Sequence, residues 1–256
     1  MRIGIITDIH ENEAVLHEAL KIAAVHKCDE MVCLGDIVGY DTRFYDHSHA
    51  RSASACIRII RSTCRWIVAG NHDLNAASRL PSCSNGFVYP DTWFKIDGRE
   101  RKKISSGKVW CYESDALNDL NDNEMEFLRG LPEFLTTTEQ GISCLFSHYI
   151  FPDLTGSTTL YIERNNQMKK HWEFMNSHNL IFSFIGHSHN HFAGFAYKNN
   201  GSLLRAFNSL SQDNFYLGKE PVVIMLPPLS GEKGRTGFSI IDTDTMKLSI
   251  VSVSHI

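Results

Sequence analysis

WIVAGNHDLN, residues 66–75, carries three apolar residues, Trp66, Ile67 and Val68, into Ala69-Gly70 and then straight into Asn71, His72 and Asp73. A strand that merely turns ends in residues chosen for backbone geometry. Here an amide, an imidazole and a carboxylate stand in a row. Upstream, RIGIIT at 2–7 and MVCLG from 31 are further short apolar runs. Between the runs, Asn12 is placed to cap a helix carrying Val15, Ala19, Ile22 and Ala23 at helical spacing, and a second helix is expected over roughly 50–62. Strand, helix, strand, helix, strand predicts a sheet with parallel crossovers, whose ligands collect at the carboxyl ends of its strands.

Residues from about 74 to 130 are less regular, with an acidic helix opening near Asn121 and ending before Pro132, and read as a lid or cap. FLTTT and ISCLFSH then read as strands, 161–177 as a helix and IFSFIG as a strand, followed by β segments around 192–197, 202–207, 221–226 and 237–253. No repeat or low-complexity linker interrupts the chain. The expected fold class is α/β, two packed mixed sheets flanked by helices, in a single domain over residues 1–256.

Composition narrows the function. With 256 residues, 43% hydrophobic and 21% charged, the chain has enough apolar content for a full core. A net charge of -4 supplies no basic field for long nucleic acid, which is disfavoured as a partner. Seven cysteines without a C-x-x-C pair argue against both a disulfide framework and a thiolate zinc site, and fit a reducing compartment. MRIGIITDIH lacks the h-region of a signal peptide and no stretch approaches the ~20 residues of a membrane span, so a cytoplasmic protein without a membrane partner is expected.

A metal ligand follows every one of the main strands. Asp8 and His10 follow the first, Asp36 the second, Asn71 the third, His148 follows ISCLFS, and His187 and His189 follow IFSFI. In an extended chain Asp8 and His10 would point the same way, as would His187 and His189. Glycines at 35, 70 and 186 directly precede ligands, as expected where backbone turns sharply or comes close to a bound group. These donors exceed what one tetrahedral ion takes, whereas two ions ~3.5–4 Å apart can share them if one carboxylate bridges. Two carboxylates leave a pair of divalent ions with spare positive charge, which suits a hydroxide nucleophile and a small phosphate ester. His72, beside the ligands, is placed to protonate the leaving alcohol, with Asp73 holding its ring. Imidazole and oxygen donors without thiolate suit Mn, Fe, Zn or Ni alike.

D-x-H, GD, GNHD, a lone His and GH-x-H, in this order across nearly the whole chain, resemble the calcineurin-like metallophosphoesterase superfamily, in particular its small bacterial and archaeal phosphodiesterases. The resemblance implies a four-layer β-sandwich and hydrolysis of a phosphodiester or phosphomonoester. It also implies that Asp8, His10, Asp36 and His189 hold one ion and that Asp36, Asn71, His148 and His187 hold the other, with Asp36 bridging. The sequence departs from relatives of this type where Asp41-Thr42-Arg43 follows GDIVGY and where Tyr149-Ile150-Phe151-Pro152 follows His148.

Blander uses exist for single residues. Asn71 alone could cap a helix, and Asp73 could cap the segment after it. Asp46-His47-Ser48-His49 precedes a helix, where a solvated cap competes with contact to the substrate by His47. Arg43 is the cation nearest the Asp36 loop and a candidate for a substrate phosphate, and His191 extends the last motif toward solvent. His17-Glu18 lacks the second histidine of a zincin helix, Gly98–Val109 lacks the Walker spacing, and Gly231–Gly237 sits between β segments as a hairpin loop. A catalytically silent binding scaffold of the same fold is the alternative to an enzyme, although such chains tend to lose ligands and this one keeps them.

Overall fold

The computed structural model describes residues 1–189, 193–198, 205–209, 214–231 and 236–253. Arg2–Ile6 forms β1, buried at every residue after Arg2, as a strand covered on both faces must be. It leads into α1 (Glu13–Val25), whose N-terminus Asn12 caps by accepting the Val15 N–H at 3.1 Å. Next come β2 (Glu30–Cys33), α2 (Ala53–Thr63, capped by Ser52), β3 (Trp66–Ile67) and α3 (Asn71–Ala76). The middle of the chain holds α4 (Gly98–Ser105) and α5 (Asp122–Gly130). Then follow β4 (Phe134–Thr137), β5 (Cys144–Ser147), α6 (Lys169–Ser177), β6 (Phe182–Ile185), β7 (Gly194–Tyr197) and β8 (Asn208–Ser209). The last strands are β9 (Asn214–Tyr216), β10 (Val222–Met225), β11 (Gly237–Asp242) and β12 (Lys247–Ser252).

These strands make two mixed six-stranded sheets, ordered β3-β2-β1-β11-β12-β9 and β4-β5-β6-β10-β7-β8. In the first, β1, β2 and β3 are parallel and β11 adds antiparallel to β1, pairing Gly4 with Ile240. In the second, β5, β6 and β10 are parallel. Alternation along each strand builds two cores at once. Ile3, Ile5, Val32 and Leu34 face Phe146, Phe184 and Ile224 between the sheets. Ile6 and Cys33 point the other way, onto Leu16 of α1, Ile57 and Ile60 of α2 and Leu128 of α5. On the far side Leu145 and Val223 meet Trp172 and Met175 of α6. The result is the expected four-layer order of helices, sheet, sheet, helices. Each fully buried side chain such as Phe146 contributes roughly 1.5–3 kcal/mol of transfer free energy.

Several boundaries differ from the sequence reading. The third strand stops at Ile67, because Ala69 gives its N–H to Pro132 rather than to the ladder. Ser48–Ala50 is a 3-10 turn and the helix expected from 50 starts at Ala53, where Ser52 can cap it. The helix expected from 161 is preceded by a 3-10 turn at Asn165–Met168. Residues 237–253 form a hairpin rather than one segment. Residues 190–192, 199–204, 210–213, 232–235 and 254–256 lie outside the described residues, and with them His191, half of the 202–207 segment and most of the 231–237 loop.

Segment 78–118 packs a small cluster of its own, Trp93, Val109 and Cys111 with Phe87 and Tyr89. Val109 bridges to Thr158, and Asp41 to Asp115, which lays this segment across the carboxyl ends of the strands.

Candidate metal centre

At those ends the backbone is left-handed at Asp8 (φ 55°), His10 (φ 47°), Asp36 (φ 50°), His187 (φ 65°) and His189 (φ 46°). This corrects the expected route to convergence: the D-x-H and H-x-H pairs aim together from tight left-handed turns, not from extended chain. Each such residue costs on the order of 1–3 kcal/mol and persists only where the surroundings hold it. Here the turns brace one another. Ile9 and His10 donate to the Asp36 carbonyl at 2.8 and 3.0 Å, Asp8 donates to the Gly35 carbonyl at 3.1 Å, and His187 N–H donates to Asp8 Oδ2 at 3.2 Å. At Gly70 a Cβ would run into the Asp36 carboxylate, and at Gly186 into Thr7 and Asp8, so no larger residue fits behind either ligand.

Two groups of donor atoms result, each within 4.8 Å: Asp8, His10, Asp36 and His189, and Asp36, His148 and His187. His189 Nε2 lies 3.2 Å and His148 Nε2 3.8 Å from Asp8 Oδ1, and His148 Nε2 lies 3.1 Å from Asp36 Oδ2. Asp36 belongs to both groups. Asn71, at the first turn of α3 behind Gly70, leaves its buried Oδ1 without a hydrogen-bond partner, as does Asp8 at Oδ1. Orphaned buried oxygens of this kind cost about 1–3 kcal/mol each unless something binds them.

The histidines are prepared for a cation. His10 Nδ1 lies 2.8 Å from the Gly39 carbonyl and His148 Nδ1 2.8 Å from the Leu34 carbonyl. A carbonyl only accepts, so each Nδ1 carries the proton and each Nε2 lone pair faces inward. His10 Nε2 and His189 Nε2 sit 3.1 Å apart, a close approach of two basic nitrogens that a shared cation relieves. His10 and His187 are pushed down to about 3, chiefly because burial disfavours their charged forms. Burial would raise the carboxyls of Asp8 and Asp36, yet neighbouring histidines, His189 for Asp8 and His148 for Asp36, outweigh it and hold both well below the usual carboxylate range. Burial would also lower His148, but Asp36 and Asp8 raise it to about 9, so a proton and a metal ion compete for its Nε2. The residues present fit a cationic group: carboxylates, inward-facing imidazole nitrogens and partnerless oxygens converge with no lysine or arginine among them.

His72 lies at the edge of this cluster, its ring 5.1 Å from that of His10 and its backbone N–H donating to Asp36 Oδ1 at 2.9 Å. Its Nδ1 is 2.7 Å from Asp115 Oδ2. Burial would lower His72, but Asp115 and Asp36 beside it raise it to about 10. The role expected of Asp73 is therefore corrected. Its carboxylate accepts the N–H groups of Ile37, Val38 and Gly70 at 2.9, 3.2 and 2.9 Å, which leaves the imidazole of His72 to Asp115. Nothing in the sequence pointed to Asp115, which sits 43 residues from His72 in the least regular part of the chain.

Comparison with known proteins agrees with this geometry. The model of the calcineurin-like phosphoesterase family matches residues 1–208. The chain belongs to that family. It is 24% identical to an uncharacterized protein of Methanocaldococcus jannaschii over 99% of this chain and 87% of the relative. Among solved structures, a metallophosphoesterase from Sphaerobacter thermophilus superposes with a TM-score of 0.69 at 19% identity, covering 100% of this chain and 89% of the other. A hypothetical protein from Pyrococcus horikoshii gives 0.63 at 15% identity, covering 100% and 88%. The fold is that of the metallophosphoesterases.

In this phosphoesterase-family chain the ligand cluster floors a cavity of about 650 Å³, walled by the 41–45 loop, by residues 102–115 and by Thr159 and Tyr161. Arg43 lines it but is bound to Asp41, Nη2 to Oδ2 at 2.7 Å. His47 is not in the cavity. It is buried behind Tyr40 and Tyr45 with Nε2 2.9 Å from the His10 carbonyl, so its expected contact with substrate is corrected to support of the His10 turn. Tyr45, unforeseen, stacks on His10 with centroids 4.7 Å apart. Glu11, also unforeseen, is buried beside Arg51 at 2.5 Å and accepts from Gly39 N–H at 3.0 Å, which fixes the carbonyl that orients His10.

Proposed function

We propose that this protein is a dinuclear-metal-dependent phosphoesterase acting on small phosphodiesters or phosphomonoesters. The observation that supports the reading most is the membership of Asp36 in both donor groups, since one shared carboxylate is what lets two cations sit side by side. Asp8, His10, Asp36 and His189 would hold one divalent ion, and Asp36, Asn71, His148 and His187 the other, with Mn, Fe, Zn and Ni all compatible with these donors. When bound, the pair supplies Lewis acidity toward a phosphoryl oxygen and acidifies water enough to serve as nucleophile near neutral pH.

The protein's own groups do the rest. Asp8 and Asp36 neutralise only part of the charge of two divalent ions, which leaves attraction for an anionic ester. The Gly39 and Leu34 carbonyls hold His10 and His148 with Nε2 inward. His72, with Nδ1 engaged by Asp115, has Nε2 left to donate a proton to the leaving oxygen. Asp73 fixes the backbone from Ile37 to Gly70 on which Asp36 and Asn71 stand. We place the protein in the cytoplasm, in keeping with seven free cysteines. Among the described residues no helix is long and apolar enough to cross a membrane.

Hydrolysis of bis-p-nitrophenyl phosphate and p-nitrophenyl phosphate with and without added Mn²⁺, alongside metal counting, tests the reading. Turnover of either ester that requires metal, at two ions per chain, is expected. Two bound ions with no turnover of either ester would instead favour a silent scaffold.

A further inference from the structure

Three exposed aromatic side chains share the opening above the ligand cluster. Among the described residues, the exposed large aromatics are Phe44 (50%), Trp110 (37%), Tyr161 (51%) and Tyr216. The first three line the cavity above the ligand cluster. They come from three separate segments, each held by its backbone. Phe44 N–H donates to the Asp41 carbonyl at 3.0 Å, Trp110 N–H to the Ser157 carbonyl at 3.1 Å, and Tyr161 follows Thr159, whose N–H donates to the Lys108 carbonyl at 3.2 Å. Tyr161 lies over His187, its centroid 6.3 Å away at 30°, so the aromatic wall begins at the cluster itself. The Arg43 guanidinium sits 5.1 Å from the Phe44 ring centroid, which stiffens that side chain from one face. Aromatic rings cost apolar exposure to water, and several kept exposed around one opening mark a surface that a flat ring will cover.

The charges around the same opening decide what that ring carries. Arg43 is paired with Asp41 at 2.7 Å, Lys102 with Glu113 at 3.6 Å and His72 with Asp115 at 2.7 Å. Among the described residues, Arg43, Lys102 and His72 of the lining thus each already have a carboxylate, which leaves no cluster of free lysines or arginines there for a polyphosphate tail. The same carboxylates can accept hydrogen bonds from sugar hydroxyls. Among the described residues, the demand for a phosphoryl group lies on the floor, at the candidate metal cluster. A neutral flat ring at the mouth, hydroxyls in between and one phosphoryl at the cluster describe a nucleoside carrying a single phosphoryl group.

Resting on the phosphoesterase reading, we propose that the substrate is a nucleoside phosphoester, recognised by stacking of its base on Trp110, Phe44 and Tyr161. The test compares substrates matched at the reacting end: AMP against glycerol phosphate, and the p-nitrophenyl ester of thymidine monophosphate against methyl p-nitrophenyl phosphate. In parallel, adenosine and AMP are titrated against Trp fluorescence, a readout that needs no turnover.

The nucleoside member of a pair is expected to have kcat/KM at least about tenfold higher, with Trp110→Leu or Phe44→Leu each removing roughly that factor. Tyr216→Leu, outside the cavity, should remove none. Adenosine should quench the wild-type fluorescence and not that of Trp110→Leu. Metal-dependent turnover with equal kcat/KM within each pair would overturn the nucleoside assignment and leave the phosphoesterase standing. Turnover of no ester, with quenching by adenosine intact, would overturn the enzyme and keep the stacking site. Absence of quenching in the wild type would overturn the stacking site whatever the turnover.

Discussion

Asp115 Oδ2 lies 2.7 Å from His72 Nδ1, a contact between the segment that walls the cavity and the histidine at the edge of the ligand cluster. The acid proposed for the leaving group is therefore oriented by the cavity wall and not by its own loop. Asp115→Asn is expected to retain metal and fold while kcat falls ~10²-fold or more on esters with poor leaving groups, with KM little changed. The loss should shrink on p-nitrophenyl esters, whose leaving group needs no proton. Equal loss on both kinds of ester would assign Asp115 a merely structural part.

Asp36→Asn removes the charge common to both donor groups. Metal analysis after dialysis should show both ions lost together, while a variant of one group alone, such as His187→Ala, should weaken one ion more than the other. Two ions held at wild-type affinity in Asp36→Asn would rule out a shared carboxylate.

Asp73 binds three backbone N–H groups of two loops. Asp73→Ala leaves these buried donors unpaired and should lower stability by about 2–5 kcal/mol, at roughly 1–3 kcal/mol for a lost buried partner and more for a charged one. Its midpoint in urea should fall even in the presence of chelator. A midpoint unchanged from wild type would return Asp73 to a purely catalytic reading.

His171, on the buried face of α6, has Nδ1 accepting the Phe151 N–H at 3.0 Å and Nε2 3.1 Å from Ser183 Oγ. Burial pushes it down to about 3 from an ordinary 6.5. The folded state thus refuses a proton that the unfolded chain accepts below pH 6.5. Its contribution is whole above that value and is lost progressively as pH falls toward about 3, at up to ~1.4 kcal/mol per pH unit. Denaturant titrations of wild type and His171→Gln across this window should show the shallower pH dependence in the variant. Parallel curves would contradict the assignment.

The candidate ligands could be read along the chain because metal chemistry restricts the side chains that can serve, and a parallel sheet restricts where they stand. Asp8, His10, Asp36, Asn71, His148, His187 and His189 each follow an apolar run that forms, or leads out of, a strand, so local pattern and chemistry pointed the same way. The layered fold was legible for a similar reason, since runs such as Ile3 to Ile6 announce burial on both faces.

Other features depend on contacts that no local pattern records. The sequence by itself determined which side chains gather around the cluster and which kind of sheet presents them. Only the tertiary structure decided that the gathering is done by left-handed turns bracing one another, that Asp115 and not Asp73 holds His72, and that His47 turns its back on the cavity. Residue type and periodicity act over a turn or a strand, whereas a partnership between positions 72 and 115 exists only once segment 78–118 has been laid across the strand ends.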